Sequence, residues 1–169
     1  AKLQTLIDVY RDGYLASWRS WAEEGGSLKG WWYTSWTMNM EVEFLSALQS
    51  ATGLDWHEPW FESLIGWYVD AVRADNTFLR GGDTFINKGL NTIDWVYALN
   101  VVHHYGSGRA KWLAEKVIEA NGEWDLLHFY DILWNDPSVA AVPPGGSSSR
   151  HYRTPGVVIM RDSWLPDAV

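Results

Sequence analysis

The residues best suited to chemistry lie in Gly25-Gly26-Ser27-Leu28-Lys29-Gly30-Trp31-Trp32-Tyr33-Thr34-Ser35-Trp36, a glycine-bounded turn that delivers three tryptophans and a tyrosine into a helix. A ring left in water forfeits apolar burial worth roughly 1.5–3 kcal/mol. These rings therefore belong to the core or line a pocket for something flat, such as a sugar. Tyr33 falls at the predicted helix start, where unpaired backbone N–H groups and the positive dipole end favour nearby negative charge. Lys29 precedes it closely in sequence. A phenol titrating near about 10 can exchange a proton in neutral solution only if such neighbours lower it.

Other candidates are more scattered. Arg80 and Asp83 sit in the glycine-rich loop Thr77–Thr84, where Arg80 is placed to meet a substrate carboxylate or to form a loop salt bridge. His151, between Arg150 and Arg153, is expected to face a cleft at a domain junction. His103-His104 invites a metal reading, but adjacent helical positions point about 100° apart and do not easily ligate one ion, so a capping or core role is expected and no metal site is predicted.

The elements that must position these residues are mostly helices. Leu3, Leu6, Ile7, Tyr10, Tyr14, Leu15, Trp18 and Trp21 recur at helical spacing up to about Glu24, where Gly25-Gly26 stops them. Tyr33, Trp36, Met40, Phe44, Ala47, Leu48 and Ala51 mark the expected core face of a second helix ending at Gly53. A third is predicted from Pro59 to about Ala74, a fourth from Lys88 to Tyr105, a fifth from Arg109 to Ala120 and a short sixth from Trp124 to Trp134. Residues 1–142 thus read as one helical domain, residues 143–155 as a Pro/Gly/Ser linker, and residues 156–169 as the start of a second, β domain. Within the last, Gly156–Arg161 is strand-like, and its partners are expected elsewhere.

Composition bounds the partners. A net charge of -8 with no basic stripe argues against nucleic acid. The absence of cysteine excludes disulfides and thiol chemistry. No apolar run is long enough to span a bilayer. Thirteen tryptophans exceed ordinary usage, which suits either a Trp-rich helical core or a surface that stacks sugar rings. The chain has no initiator Met or signal-peptide pattern and starts within an amphipathic segment, as expected of a processed or excised piece.

Two stretches together resemble the heparinase II/III-like polysaccharide lyases. One is Gly25-Gly26 through Tyr33 and Trp36, followed by Ala51-Thr52-Gly53 and Gly82-Asp83-Thr84; the other is Ser149–Arg153 with Gly156–Trp164. The resemblance implies a mainly α chain, an incomplete α/α toroid, leading into the first strand of an antiparallel β-sandwich. It implies cleavage of a uronate-containing polysaccharide such as alginate, heparan sulfate or hyaluronan by β-elimination, in the periplasm or outside the cell. The position matching the family's catalytic tyrosine is Tyr33, with Trp31, Trp32, Trp36, Lys29, Arg80 and His151 as supporting substrate contacts. The family's catalytic histidines have no counterpart among His57, His103, His104, His128 and His151, so these residues alone are expected to be inactive. No cofactor is implied within the chain, although a structural metal in a further β domain would fit the resemblance.

Two other classes remain open. Glycoside hydrolysis needs two carboxyl groups roughly 5–9.5 Å apart, for which Glu41, Glu43, Asp83 and Asp94 are candidates. A carbohydrate-binding or scaffold domain needs only the aromatic surface, and the net acidity favours a neutral glycan over a polyanion unless Lys29, Arg80, Arg150 and Arg153 offset it locally.

Overall fold

The computed structural model describes residues 2–79, 89–122, 128–146 and 149–164, and in these the chain is mainly helical with one small antiparallel sheet. Helix α1 (Lys2–Asp8), a π-helical stretch (Val9–Leu15) and α2 (Ala16–Ala22) follow one another without a break. Then come α3 (Gly30–Thr52), α4 (Pro59–Ala71), α5 (Thr92–Tyr105), α6 (Gly108–Asn121) and α7 (His128–Trp134). The hairpin β1 (Ser149–Tyr152) and β2 (Val157–Met160) closes the described chain. None of these helices is long and apolar enough to cross a membrane.

Helix α5 is the hub. Every residue from Asp94 to Val102 is buried, and the helix packs on α3, α4, α6 and α7. Its start is fixed by a reciprocal cap: Asn91 Oδ1 accepts the Ile93 N–H at 3.0 Å, and Asp94 Oδ2 accepts the Asn91 N–H at 2.9 Å. Asp94 also accepts from Ser35 on α3, and Asn100 Nδ2 donates to Ser46 Oγ at 3.0 Å, so buried polar groups tie α3 to α5.

Helix α3 turns a different face inward from the one its sequence suggests. The buried residues are Trp31, Thr34, Ser35, Met38, Glu41, Val42 and Leu45, whereas Tyr33, Trp36, Met40, Phe44, Ala47 and Ala51 are exposed. Both sides of this helix carry large apolar residues, so spacing alone does not choose between them. The choice falls to hydrogen bonding, because Thr34 and Ser35 can be buried by bonding back to the carbonyls of Gly30 and Trp31.

The predicted lone strand has its partner inside the stretch expected to be a linker. Ser149 pairs with Met160, Arg150 with Ile159, His151 with Val158 and Tyr152 with Val157. Tyr152 anchors this hairpin to the helices: it is fully buried, donates to Asp70 Oδ2 at 2.5 Å and meets the Trp67 ring edge-on at 4.8 Å. Arg161 adds hydrogen bonds to the carbonyls of Asp70 and Val72. The turn before α3 is shaped by the same contact. A Cβ on Gly26 would stand 2.7 Å from Pro155 Cγ, and one on Gly25, whose φ is +85°, would strike the Ser63 carbonyl.

Candidate functional site

The first two turns of α3 present an aromatic surface. Tyr33 and Trp36 are 50% and 52% exposed, and the half-buried Trp32 lies 6.4 Å from Trp36 with its plane inclined by 49°. Met40 and Phe44 continue the same stripe down the helix. The Tyr33 hydroxyl has no hydrogen-bond partner among the described residues and is free to meet a ligand. Flat, half-exposed rings next to a free phenol form a platform suited to the apolar face of a sugar.

The remaining predicted site residues do not all join this surface. Trp31 is a core residue: 2% exposed, stacked on Trp67 at 4.9 Å and 14°, it has no face left for a sugar. Lys29 is exposed at the same helix end, but its Nζ lies 4.7 Å above the Trp18 ring, on the side of Glu41. His151 stands on the outer face of the hairpin, because strand residues alternate and its neighbour Tyr152 points into the helices. Arg80 and Asp83 fall outside the described residues.

Sequence reasoning missed a polar cluster beneath the aromatic stripe. Tyr10 donates to the buried carboxyl of Glu41, Tyr14 stacks on Tyr10 at 5.5 Å, and Phe44 and Trp56 wall the cluster. Burial, ahead of any other cause, raises the Glu41 carboxyl above its ordinary range, while both tyrosines and Lys29 pull it back. Burial also raises the two phenols, Tyr14 to about 12 and Tyr10 further, aided by the Glu41 charge. The two phenols therefore hold their protons, and these tyrosines can donate hydrogen bonds but are poor bases. Tyr10 and Tyr14 sit in the π-helical stretch, a local widening of the helix, and that feature was the available clue only once a backbone existed.

Of the four carboxyl groups considered for hydrolysis, Asp83 lies outside the described residues and the other three already have partners. Asp94 is consumed in capping α5, Glu41 is buried under Tyr10, and Glu43 accepts from Tyr130. Glu43 and Tyr130 line a cavity of about 570 Å³ between α3, α5 and α7, together with Gln49, His103, His104 and Trp134. Behind His104 lie His57 and Asp55, whose donor atoms and that of His104 all fall within 4.8 Å of one another.

No protein-family model matches this chain, and no curated protein or solved structure matches it significantly.

Proposed function

We propose that this chain forms part of a polysaccharide lyase that cleaves uronate-containing chains by β-elimination, with Tyr33 as base and then acid. The observation that carries the reading is the half-exposed phenol in the first turn of α3, next to the ring platform of Trp36 and Trp32. The resemblance of Gly25–Trp36 and of Ser149–Arg153 with Gly156–Trp164 to the heparinase II/III-like lyases supports it, as does the packing of Tyr152 on Gly26, where the two resembling stretches touch.

In the reaction the phenolate takes the C5 proton of the uronate, the electron pair forms the C4=C5 bond, and the C4–O bond breaks. The phenol then returns its proton to the departing glycosidic oxygen. A carbon acid this weak requires its carboxylate to be neutralised as charge develops. The N-terminal end of α3 supplies positive potential at this end of the helix. Trp36 and Trp32 orient the sugar ring by stacking.

A second reading, glycan binding without elimination, is favoured by one feature: among the described residues no titratable side chain bonds to the Tyr33 hydroxyl to accept or relay its proton. One experiment separates the two. The longest natural polypeptide containing these residues is incubated with alginate, heparan sulfate or hyaluronan, and the ultraviolet absorbance of the unsaturated uronate is followed. The lyase reading expects absorbance that falls by orders of magnitude in Tyr33→Phe while glycan binding is kept. Unchanged turnover removes Tyr33 from the chemistry. Reducing ends without absorbance indicate hydrolysis, and binding with neither product indicates a binding module.

A further inference from the structure

We infer that Asp55, His57 and His104 form a binding site for one divalent first-row transition-metal ion of the Zn²⁺ class, set against the cavity between α3, α5 and α7. Asp55 and His57 come from the segment joining α3 to α4, and His104 from the last turn of α5. Asp55 Oδ1 is 2.7 Å from His57 Nδ1, and one donor atom from each of the three residues lies within 4.8 Å of the other two. The ligands are the imidazole nitrogens of His57 and His104, donors that zinc and its neighbours in the first transition row accept and magnesium does not favour, and Asp55 holds His57 from its other ring nitrogen.

An independent observation points the same way. The His57 side chain is only 2% exposed, yet its Nε2 is buried without a hydrogen-bond partner among the described residues. A buried ring nitrogen left unpaired carries a desolvation cost that an ordinary packing role does not repay. The opposite nitrogen is held by Asp55, the arrangement by which a carboxylate orients a metal-binding imidazole.

The His57 and His104 rings lie face to face, with centroids 3.6 Å apart and planes inclined by 24°. Their in-plane lone pairs run side by side, so a shared ion requires the half-buried His104 ring to turn. His104 lines the cavity and has space on that side, which also gives the ion a route in and leaves coordination positions open. His103 points elsewhere from the next helical position and takes no part. The partner of His104 is thus a histidine from another element, which is why the adjacent pair in the sequence misleads.

The test uses the full chain freed of metal with a chelator and then titrated calorimetrically with Zn²⁺, with Mg²⁺ as control and Co²⁺ as a spectroscopic probe. The expected result is one Zn²⁺ per chain, no Mg²⁺ binding, and visible Co²⁺ bands showing nitrogen and oxygen ligands. Asp55→Asn, at an exposed position, weakens Zn²⁺ by about 10–100-fold. His104→Gln abolishes the one-to-one event with far-ultraviolet circular dichroism unchanged, and His103→Gln binds as the unsubstituted chain does. The inference is overturned if the unsubstituted chain shows no one-to-one Zn²⁺ binding, if His104→Gln binds equally well, or if His103→Gln loses as much as His104→Gln. None of these readouts depends on glycan cleavage.

Discussion

Replacing Trp31 and Trp36 separately by alanine tests which side of α3 is core and which is available to a ligand. Trp31 is almost completely enclosed, stacked on Trp67, and its Nε1 donates to the Trp67 carbonyl at 3.4 Å. Truncating a buried tryptophan in this way costs about 3–5 kcal/mol, because both transfer energy and a cavity are involved. Trp36 leaves about half its surface in water. Its truncation gives up roughly half of the 1.5–3 kcal/mol that full burial confers, or about 1 kcal/mol, and opens no internal void. Urea unfolding followed by circular dichroism should therefore show a much larger drop in midpoint for Trp31→Ala than for Trp36→Ala, with similar slopes. Glycan affinity should move in the opposite sense: Trp36→Ala loses about tenfold, the equivalent of one aromatic stacking contact of about 1.4 kcal/mol, and folded Trp31→Ala keeps it. If Trp36→Ala were the more destabilising variant, the inward face of α3 would be misassigned and the aromatic platform would not exist.

Further outcomes follow from the joints between elements. Tyr152→Phe removes the phenol that bonds the buried Asp70 carboxylate and should lower stability by about 1.5–3 kcal/mol, read as faster hydrogen exchange in β1 and β2. Gly26→Ala places a methyl group against the rigid Pro155 ring and Tyr152 Cβ, so it should cost about 1–3 kcal/mol and loosen the hairpin from the helices, measured by the same exchange experiment. Glu41 has a native pKa raised above the unfolded value, so the native state binds the extra proton. Its contribution is therefore fully present below the unfolded pKa of about 4.5 and is lost as pH rises through the native value. Glu41→Gln keeps the hydrogen bonding capacity without the charge and should flatten that part of the stability profile; an unchanged profile would show that Glu41 is not its source.

Much of the helical framework was legible before any backbone was known, because the stop signals have local causes. Gly53, Gly106 and Gly122 all have positive φ at helix ends, where a side chain is penalised, and the predicted limits at these positions hold within a residue or two. The amphipathic pattern of α6 was equally plain: Ala110, Leu113, Ala114 and Val117 are buried as their spacing requires. Local signals fail where the deciding interaction is distant. The third helix stops at Ala71, short of the expected Ala74, because Val72 bridges Phe78 and Leu79 N–H bonds the Ala71 carbonyl. The strand pairing of Ser149–Tyr152 is hidden in the same way: three of its four residues are exposed and polar, and only the anchoring of Tyr152 on Asp70 and Trp67 makes it worth ordering.

The candidate site divides along the same line. A tyrosine and tryptophans at a helix start are contiguous in sequence, so their grouping was legible, but spacing put Tyr33 and Trp36 on the expected core face, whereas they are exposed and Trp31 is the ring taken into the core. Trp31 goes inward because position 31 lies on the same side of α3 as Ser35 and Met38, which meet the buried hub helix. Once that side is fixed, Tyr33 and Trp36 must point outward, since a turn of 200° separates positions 31 and 33 at about 100° per residue. The Tyr10, Tyr14 and Glu41 cluster and the Asp55, His57 and His104 cluster are of another kind, each joining residues from different elements. A carboxylate and a histidine on the segment 53–58 look like capping residues until α5 brings His104 onto the imidazole face. Packing alone then does not account for a ring that is enclosed by protein and still lacks a partner for Nε2, and that imbalance is what singles out this cluster from the other buried histidine contacts the fold could have made.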